Sequence, residues 1–213
     1  SFDTVFIDEK IKSQLIRFVH NWYKNSKLFE NRGITYKAGI LLYGEPGTGK
    51  TTIARAIATE LNAYIIVIDV TMLDKLDMCG FNEIVSGYQN RPKVIVLEEI
   101  VFAIINRDID SKTDTARKEI ILNRLLQLLD GINSANNTIF VATTNKYERL
   151  DDALIRDGRF DLRLEIGKIN RELACKMCKS FNVNPELVIF PDEELINPAT
   201  LQSRILKTYL NKY

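Results

Sequence analysis

Apolar positions along the chain follow two spacings. Ile11, Leu15, Phe18/Val19 and Trp22 recur at steps of three and four residues, one apolar face of a helix that Asp8 is placed to cap. His20 falls in this helix without a partner at readable spacing and is taken as structural. Asn31-Arg32-Gly33 breaks the pattern. Short apolar runs then follow, Ile40-Leu41-Leu42-Tyr43 and residues 64–69, 93–97 and 138–143, and Leu162 to Ile166 completes the set. The 64–69 and 93–97 runs are short, apolar and rich in β-branched residues, as expected of strands buried on both faces. Helical patterns alternate with them: Ile53, Ile57 and Leu61, then a compact segment ending near Gln89-Asn90-Arg91-Pro92, then 115–129 with Ile121, Leu125 and Leu128/Leu129 on one face, closed by Asp130-Gly131. Alternation of this kind predicts an α/β fold around a parallel sheet. From Lys168 the strand signal stops, and helices are expected at 171–181 and 198–210, the second capped by Asn197. The organisation is a large α/β part, 1–167, and a small helical part, 168–213.

Composition narrows this little. The 213 residues carry 29 Lys and Arg against 28 Asp and Glu, a net charge of +1, so bulk charge gives no pull toward nucleic acid. Cys79, Cys175 and Cys178 are odd in number, which argues against a disulfide framework and for a reducing compartment. Cys175-Lys176-Met177-Cys178 has the form C-x-x-C, but no second Cys/His pair completes a metal site, and small residues on a helix explain it. There is no run of membrane-spanning length and no leader pattern. A chain that opens on Ser reads as a fragment.

The candidate chemistry lies between the first strand and the helix after it. Gly44-Glu45-Pro46-Gly47-Thr48-Gly49-Lys50-Thr51 is G-x-x-x-x-G-K-T in strand–loop–helix context, and Thr52 continues the helix. Glycines let successive backbone N–H groups curl around phosphate oxygens, and the helix N-terminus adds its positive end. Lys50 is expected on the β- and γ-phosphates of a nucleoside triphosphate and the Thr51 hydroxyl on Mg²⁺.

Two acids, Glu98 and Glu99, end the 93–97 run. Behind a phosphate loop, the first is expected on the Mg²⁺ side and the second to orient and deprotonate the attacking water. Asn145 follows the 138–143 strand and is placed to bond the γ-phosphate or that water. Arg156 and Arg159 flank Gly158 in R-x-G-R; guanidinium groups stabilise charge during phosphoryl transfer, commonly from a neighbouring subunit. The plainer reading of the pair is a surface contact with Asp152, Asp157 or Asp161.

Together GEPGTGKT, the acidic pair, ATTN and LDDALIRDGRFD resemble the AAA ATPases carrying a second region of homology, over nearly the whole chain. Within that branch the likeness is to Bcs-type mitochondrial chaperones, through Trp22-Tyr23, the run from Arg32 to Gly44, and Pro198-Ala199-Thr200-Leu201-Gln202. The resemblance implies a P-loop NTPase sheet flanked by helices, a helical lid at 168–213, ATP and Mg²⁺ as ligands, and protomers in a homo-oligomeric ring. It further implies Asn145 as sensor on a strand between the phosphate-loop and Glu98-Glu99 strands, and Arg156 and Arg159 acting on the neighbour's ATP. Family members move protein substrates; the reducing compartment expected from the cysteines would be the cytoplasm or the mitochondrial matrix side.

The chain departs from the pattern at four places. Its acidic pair is Glu-Glu, Val101 stands where another acid is common, Glu45 replaces a usual Pro, and Met78-Cys79-Gly80 lacks the aromatic of a threading loop, although Phe81 follows. Met78 and Phe81 read equally as core of a short helix. Two other functions share the module: a nucleic-acid motor or loader, which calls for a basic insertion not seen here, and a weakly hydrolysing ATP-gated scaffold.

Overall fold

The computed structural model describes residues 1–88, 90–100, 112–130, 136–156, 158–190 and 192–210. The short apolar runs form five parallel strands, β1 Lys37–Tyr43, β2 Tyr64–Asp69, β3 Lys93–Glu98, β4 Thr138–Thr144 and β5 Leu162–Glu165. Their spatial order is β2-β3-β4-β1-β5. Successive side chains of a strand point to opposite faces, so each central strand feeds two cores. Ile40 and Leu42, Val94 and Val96, and Ile139 and Val141 join one; Leu41, Ile95, Leu97, Phe140 and Ala142 join the other. Helices α1 Glu9–Lys24, α2 Ser26–Asn31 and α3 Lys50–Glu60 close the first core, and α4 Met78–Gly87 and α5 Lys112–Asp130 close the second.

The Asp8 carboxylate caps α1, accepting from the N–H groups of Lys10 (2.8 Å) and Ile11 (3.3 Å). Leu15, Val19 and Trp22 are its buried face, with the Trp22 ring stacked on Tyr36 at 4.3 Å. His20 sits on the outer face and meets Glu60 at 2.8 Å. Phe81 is buried in the second core and Met78 packs against it, so α4 spends both on packing.

One strand departs from expectation. β2 is the sheet edge, paired with β3 alone, and leaves Ile65 and Val67 41% and 51% exposed. An apolar run marks a strand without telling centre from edge. Smaller differences are at the ends: α5 begins at Lys112, and β3 and β4 each run one residue further. Gly131 lies outside the described residues.

Gly39 fixes how β1 meets the R-x-G-R turn. A Cβ there would stand 1.7 Å from the Arg159 carbonyl oxygen, so no side chain fits. The contact is held from both sides: Gly39 N–H donates to Asp161 Oδ2 and Asp161 N–H to the Gly39 carbonyl, each at 2.9 Å.

Beyond residue 168 a separate core gathers Ile169, Leu173, Met177, Cys178, Leu201 and Ile205. It lies under α6 Arg171–Ser180 and α7 Pro198–Leu210. The sequence predicts no strands here, yet β6 Ile169–Asn170 and β7 Leu195–Ile196 form a two-residue antiparallel ladder, too short to leave a periodic signal. Cys175 and Cys178 are free thiols on α6; burial first, and the neighbouring Cys175 second, push the Cys178 thiol up. The N-terminal segment straps the two cores together: Phe2, Val5 and Ile7 enter the first, and Phe6 packs on the third.

Candidate active site

In a parallel sheet the carboxyl ends of the strands share one edge, and ligands gather there. β1, β4 and β3 lie side by side, so the residues after each converge on a cavity of about 990 Å³. The phosphate loop from Pro46 to Thr52 forms one wall and the strand ends Glu98, Glu99 and Asn145 another. The third wall is the strap, Thr4 to Ile7, with α6 and the start of α7. Gly44 and Glu45 belong to the loop but stand outside the cavity lining.

Gly47 and Gly49 have φ of +80° and +96°, the left-handed backbone that turns consecutive N–H groups to one side as an anion nest. Gly44 N–H donates to the Thr144 carbonyl (3.2 Å), anchoring the loop on β4. Lys50 Nζ donates to the carbonyls of Gly44 (2.8 Å) and Glu45 (2.7 Å). Burial lowers the Lys50 pKa, and the nearby Glu99 charge opposes the shift. Thr48 is buried and its hydroxyl donates to the Glu45 carbonyl at 2.9 Å, bracing the turn from inside.

Thr51 Oγ1 donates to Glu98 Oε1 at 3.1 Å. A hydroxyl and a carboxylate from two elements meeting at the loop are the hard oxygen donors Mg²⁺ prefers, so the residues present fit that ion. Glu99 has φ of +53°, a left-handed conformation costing a non-glycine residue roughly 1–2 kcal/mol. Its N–H is held by Thr143 Oγ1 at 3.4 Å. Strain at one carboxylate on the cavity rim is what a functional constraint looks like. Asn145 lines the same rim, after the strand lying between β1 and β3.

The two arginines stand apart from this cavity and differ from each other. Arg159 is bound within its own chain: Nε and Nη2 reach the Asp130 carboxylate at 2.8 and 2.9 Å, and Nη1 donates to the Ala153 carbonyl. The hydrogen bond to Arg159 holds the Asp130 carboxyl below its ordinary range, and in return raises the guanidinium. Its partner is therefore Asp130 at the end of α5 and, among the described residues, neither Asp152 nor Asp161. Arg156 is exposed and has no ion pair among the described residues. Asp157 and Val101 lie outside the described residues.

Several lining residues carry no signal in the sequence: Asp69 at the end of β2, Thr71 just past it, the strap, Met177 and Ser180 on α6, and Phe181 after it. They come from segments far apart in the chain with no motif among them. Asn197 was legible as a cap, and it accepts from Ala199 N–H at 3.0 Å. It also donates through Nδ2 to the Pro46 carbonyl (2.8 Å), while Ala199 N–H reaches the Gly47 carbonyl (3.1 Å). A Cβ on Gly47 would lie 2.7 Å from Asn197 Oδ1, so the loop and α7 touch with no room between. Glu45 faces outward, 62% exposed, and pairs with Lys168 at 3.2 Å.

Comparison with known proteins agrees with this geometry. Residues 40–168 match the family described as ATPase family associated with various cellular activities (AAA). The chain is 34% identical over 221 residues to the probable mitochondrial chaperone BCS1-A of Dictyostelium discoideum, covering 100% of this chain and 52% of that protein. It is 30% identical over 182 residues to the mitochondrial chaperone BCS1 of Bos taurus, covering 84% and 43%. To the ATP-dependent zinc metalloprotease FtsH 2 of Thermoanaerobacter sp. (strain X514) it is 31% identical over 190 residues, covering 87% and 36%. The chain thus spans about half, or less, of the length of these relatives. With the phosphate loop, the acidic strand end and the R-x-G-R turn all inside the matched region, the chain belongs to the AAA family of ATPases.

Proposed function

We propose that this chain is the Mg²⁺-dependent ATP-hydrolysing part of an oligomeric AAA protein that remodels or translocates a protein substrate, as a Bcs-like chaperone. The observation that carries the reading is the convergence of Lys50, the Thr51–Glu98 pair, the strained Glu99 and Asn145 on one cavity. The loop from Gly44 to Thr52 binds the phosphates, with Lys50 exchanging its loop carbonyls for phosphate oxygens. Thr51 and Glu98 would hold Mg²⁺, which when bound would supply positive charge against the phosphates. Glu99 takes the proton of the attacking water, and Asn145 fixes that water's position. Residues 168–213 act as a lid on the α/β part, 1–167.

The exposed Arg156 serves the neighbouring protomer's site in a ring, and Arg159, tied to Asp130, sets the turn that presents it. The mitochondrial names of the relatives support a mitochondrial setting. Among the described residues no helix is long and apolar enough to cross a membrane.

The test is single-turnover hydrolysis with Glu99→Gln. The variant is expected to bind ATP as tightly as the parent and to lose about 10²–10⁴-fold in the chemical step. Equal hydrolysis by the two proteins overturns the assignment.

A further inference from the structure

The geometry points to Gln202 as the residue that selects adenine over guanine, by a paired hydrogen bond to N6 and N7 of the base. This rests on the reading of the cavity as an ATP site. α7 begins against the phosphate loop, where Ala199 N–H meets the Gly47 carbonyl. Gln202 stands three residues on, the same helix face one turn later, and both residues line the cavity. That turn carries it about 4.5 Å along the axis from the loop contact, next to Leu201, which shares a core with Met177 and with Phe6 of the strap and Phe181 packed against it.

At this end Val5, Phe6, Ile7, Met177 and Phe181 offer apolar surface suited to the faces of a flat ring. Three polar side chains accompany them, and two have their hydrogen committed. The Thr4 hydroxyl donates to the Ser1 carbonyl (3.0 Å) and the Ser180 hydroxyl to the Met177 carbonyl (2.7 Å). The Gln202 carboxamide has no hydrogen-bond partner among the described residues, so at this end it alone is free both to donate and to accept.

A carboxamide presents an N–H and a C=O side by side. Adenine answers with an acceptor at N7 and an amino donor at N6, and both bonds form. Guanine presents acceptors at N7 and O6, so the carboxamide oxygen faces another oxygen. The discrimination expected from one such pair is roughly tenfold.

Displacement of a fluorescent ATP analogue by ATP, GTP and 7-deaza-ATP, in the parent and in Gln202→Leu, tests this by binding alone. The substitution is expected to weaken ATP about tenfold, to narrow the ATP-to-GTP ratio by a similar factor, and to weaken 7-deaza-ATP distinctly less than ATP, since that analogue keeps the N6 donor but lacks N7. Equal losses for ATP and 7-deaza-ATP would reduce Gln202 to packing, and no change in any affinity would remove it from base recognition; either overturns the inference while the ATP site stands. Failure of ATP to displace the probe from the parent sinks the ATP-site reading, and this one with it.

Discussion

Thr51 Oγ1 and Glu98 Oε1 meet at 3.1 Å although one opens a helix and the other ends a strand 47 residues later. Strand order allows the meeting, since β1 and β3 are parallel, end on the same sheet edge and have only β4 between them. Glu98→Ala is expected to raise the Mg²⁺ needed for tight ATP binding by about 10–100-fold, with metal-free nucleotide affinity unchanged. Glu98→Asp keeps the charge on a shorter arm and should fall between. Magnesium titrations of ATP affinity check this, and superimposable curves for parent and Ala variant would refute it.

The two arginines separate by readout. Arg156 is exposed and has no ion pair among the described residues, so Arg156→Ala should lower ATP turnover about 10³-fold or more and leave the melting temperature alone. Arg159→Ala strands the Asp130 carboxylate and the Ala153 carbonyl, and should lower turnover and melting temperature together. Mixing Arg156→Ala protomers with Lys50→Ala protomers should recover activity, because each lacks what the other supplies. Absence of recovery counts against a shared site.

Asp130 gives a pH dependence. Arg159 holds its carboxyl below the ordinary 3.8, so the folded chain takes up that proton less readily than the unfolded one. The stabilisation is therefore complete above about pH 4 and fades as pH falls through the depressed folded value. Its size is about 1 kcal/mol or less, because the Asp130 side chain is 42% exposed and water screens the pair. Asp130→Asn should be slightly less stable at neutral pH and lose less on acidification. Denaturant melts at stepped pH measure both, and parallel acid limbs would exclude the linkage.

Lys93 starts β3 only 3% exposed, with no ion pair among the described residues, and burial lowers its pKa. The unfolded chain then binds that proton more strongly, so stability should rise with pH toward the ordinary 10.5. Lys93→Met fills the same space without the ammonium and should gain about 1 kcal/mol, or roughly 2–4 °C, at neutral pH while losing that rise. A destabilised Met variant would mean that the ammonium is solvated in place.

The sheet and the phosphate loop were legible because each leaves a local signature: β-branched runs for the strands, and Gly and Lys-Thr at fixed spacing for the loop. The helix at 198–210 and its Asn197 cap were readable for the same reason. What escaped depends on contacts distant in sequence. Nothing near Arg159 names Asp130 as its partner, and nothing in the 64–69 run says that its outer edge lacks a neighbour. The strap was invisible because Phe2, Val5, Phe6 and Ile7 show no period, their directions being set by two cores at once. The second hydrogen bond of Asn197 was equally hidden, since a cap residue announces only its own helix.

That second bond makes the phosphate loop and α7 a single thermodynamic unit. Pro46 and Gly47 give their carbonyls to Asn197 and Ala199, and the peptide planes bearing those carbonyls bear on their other edge the N–H groups of Gly47 and Thr48. Tilting α7 must rotate those planes, and an anion that fixes them must resist the tilt. By reciprocity, whatever free energy α7 contributes to holding phosphate is returned in full as resistance to swinging α7 away. Loss of the phosphates is then expected to loosen α7, and loosening of α7 to weaken phosphate binding by the same factor.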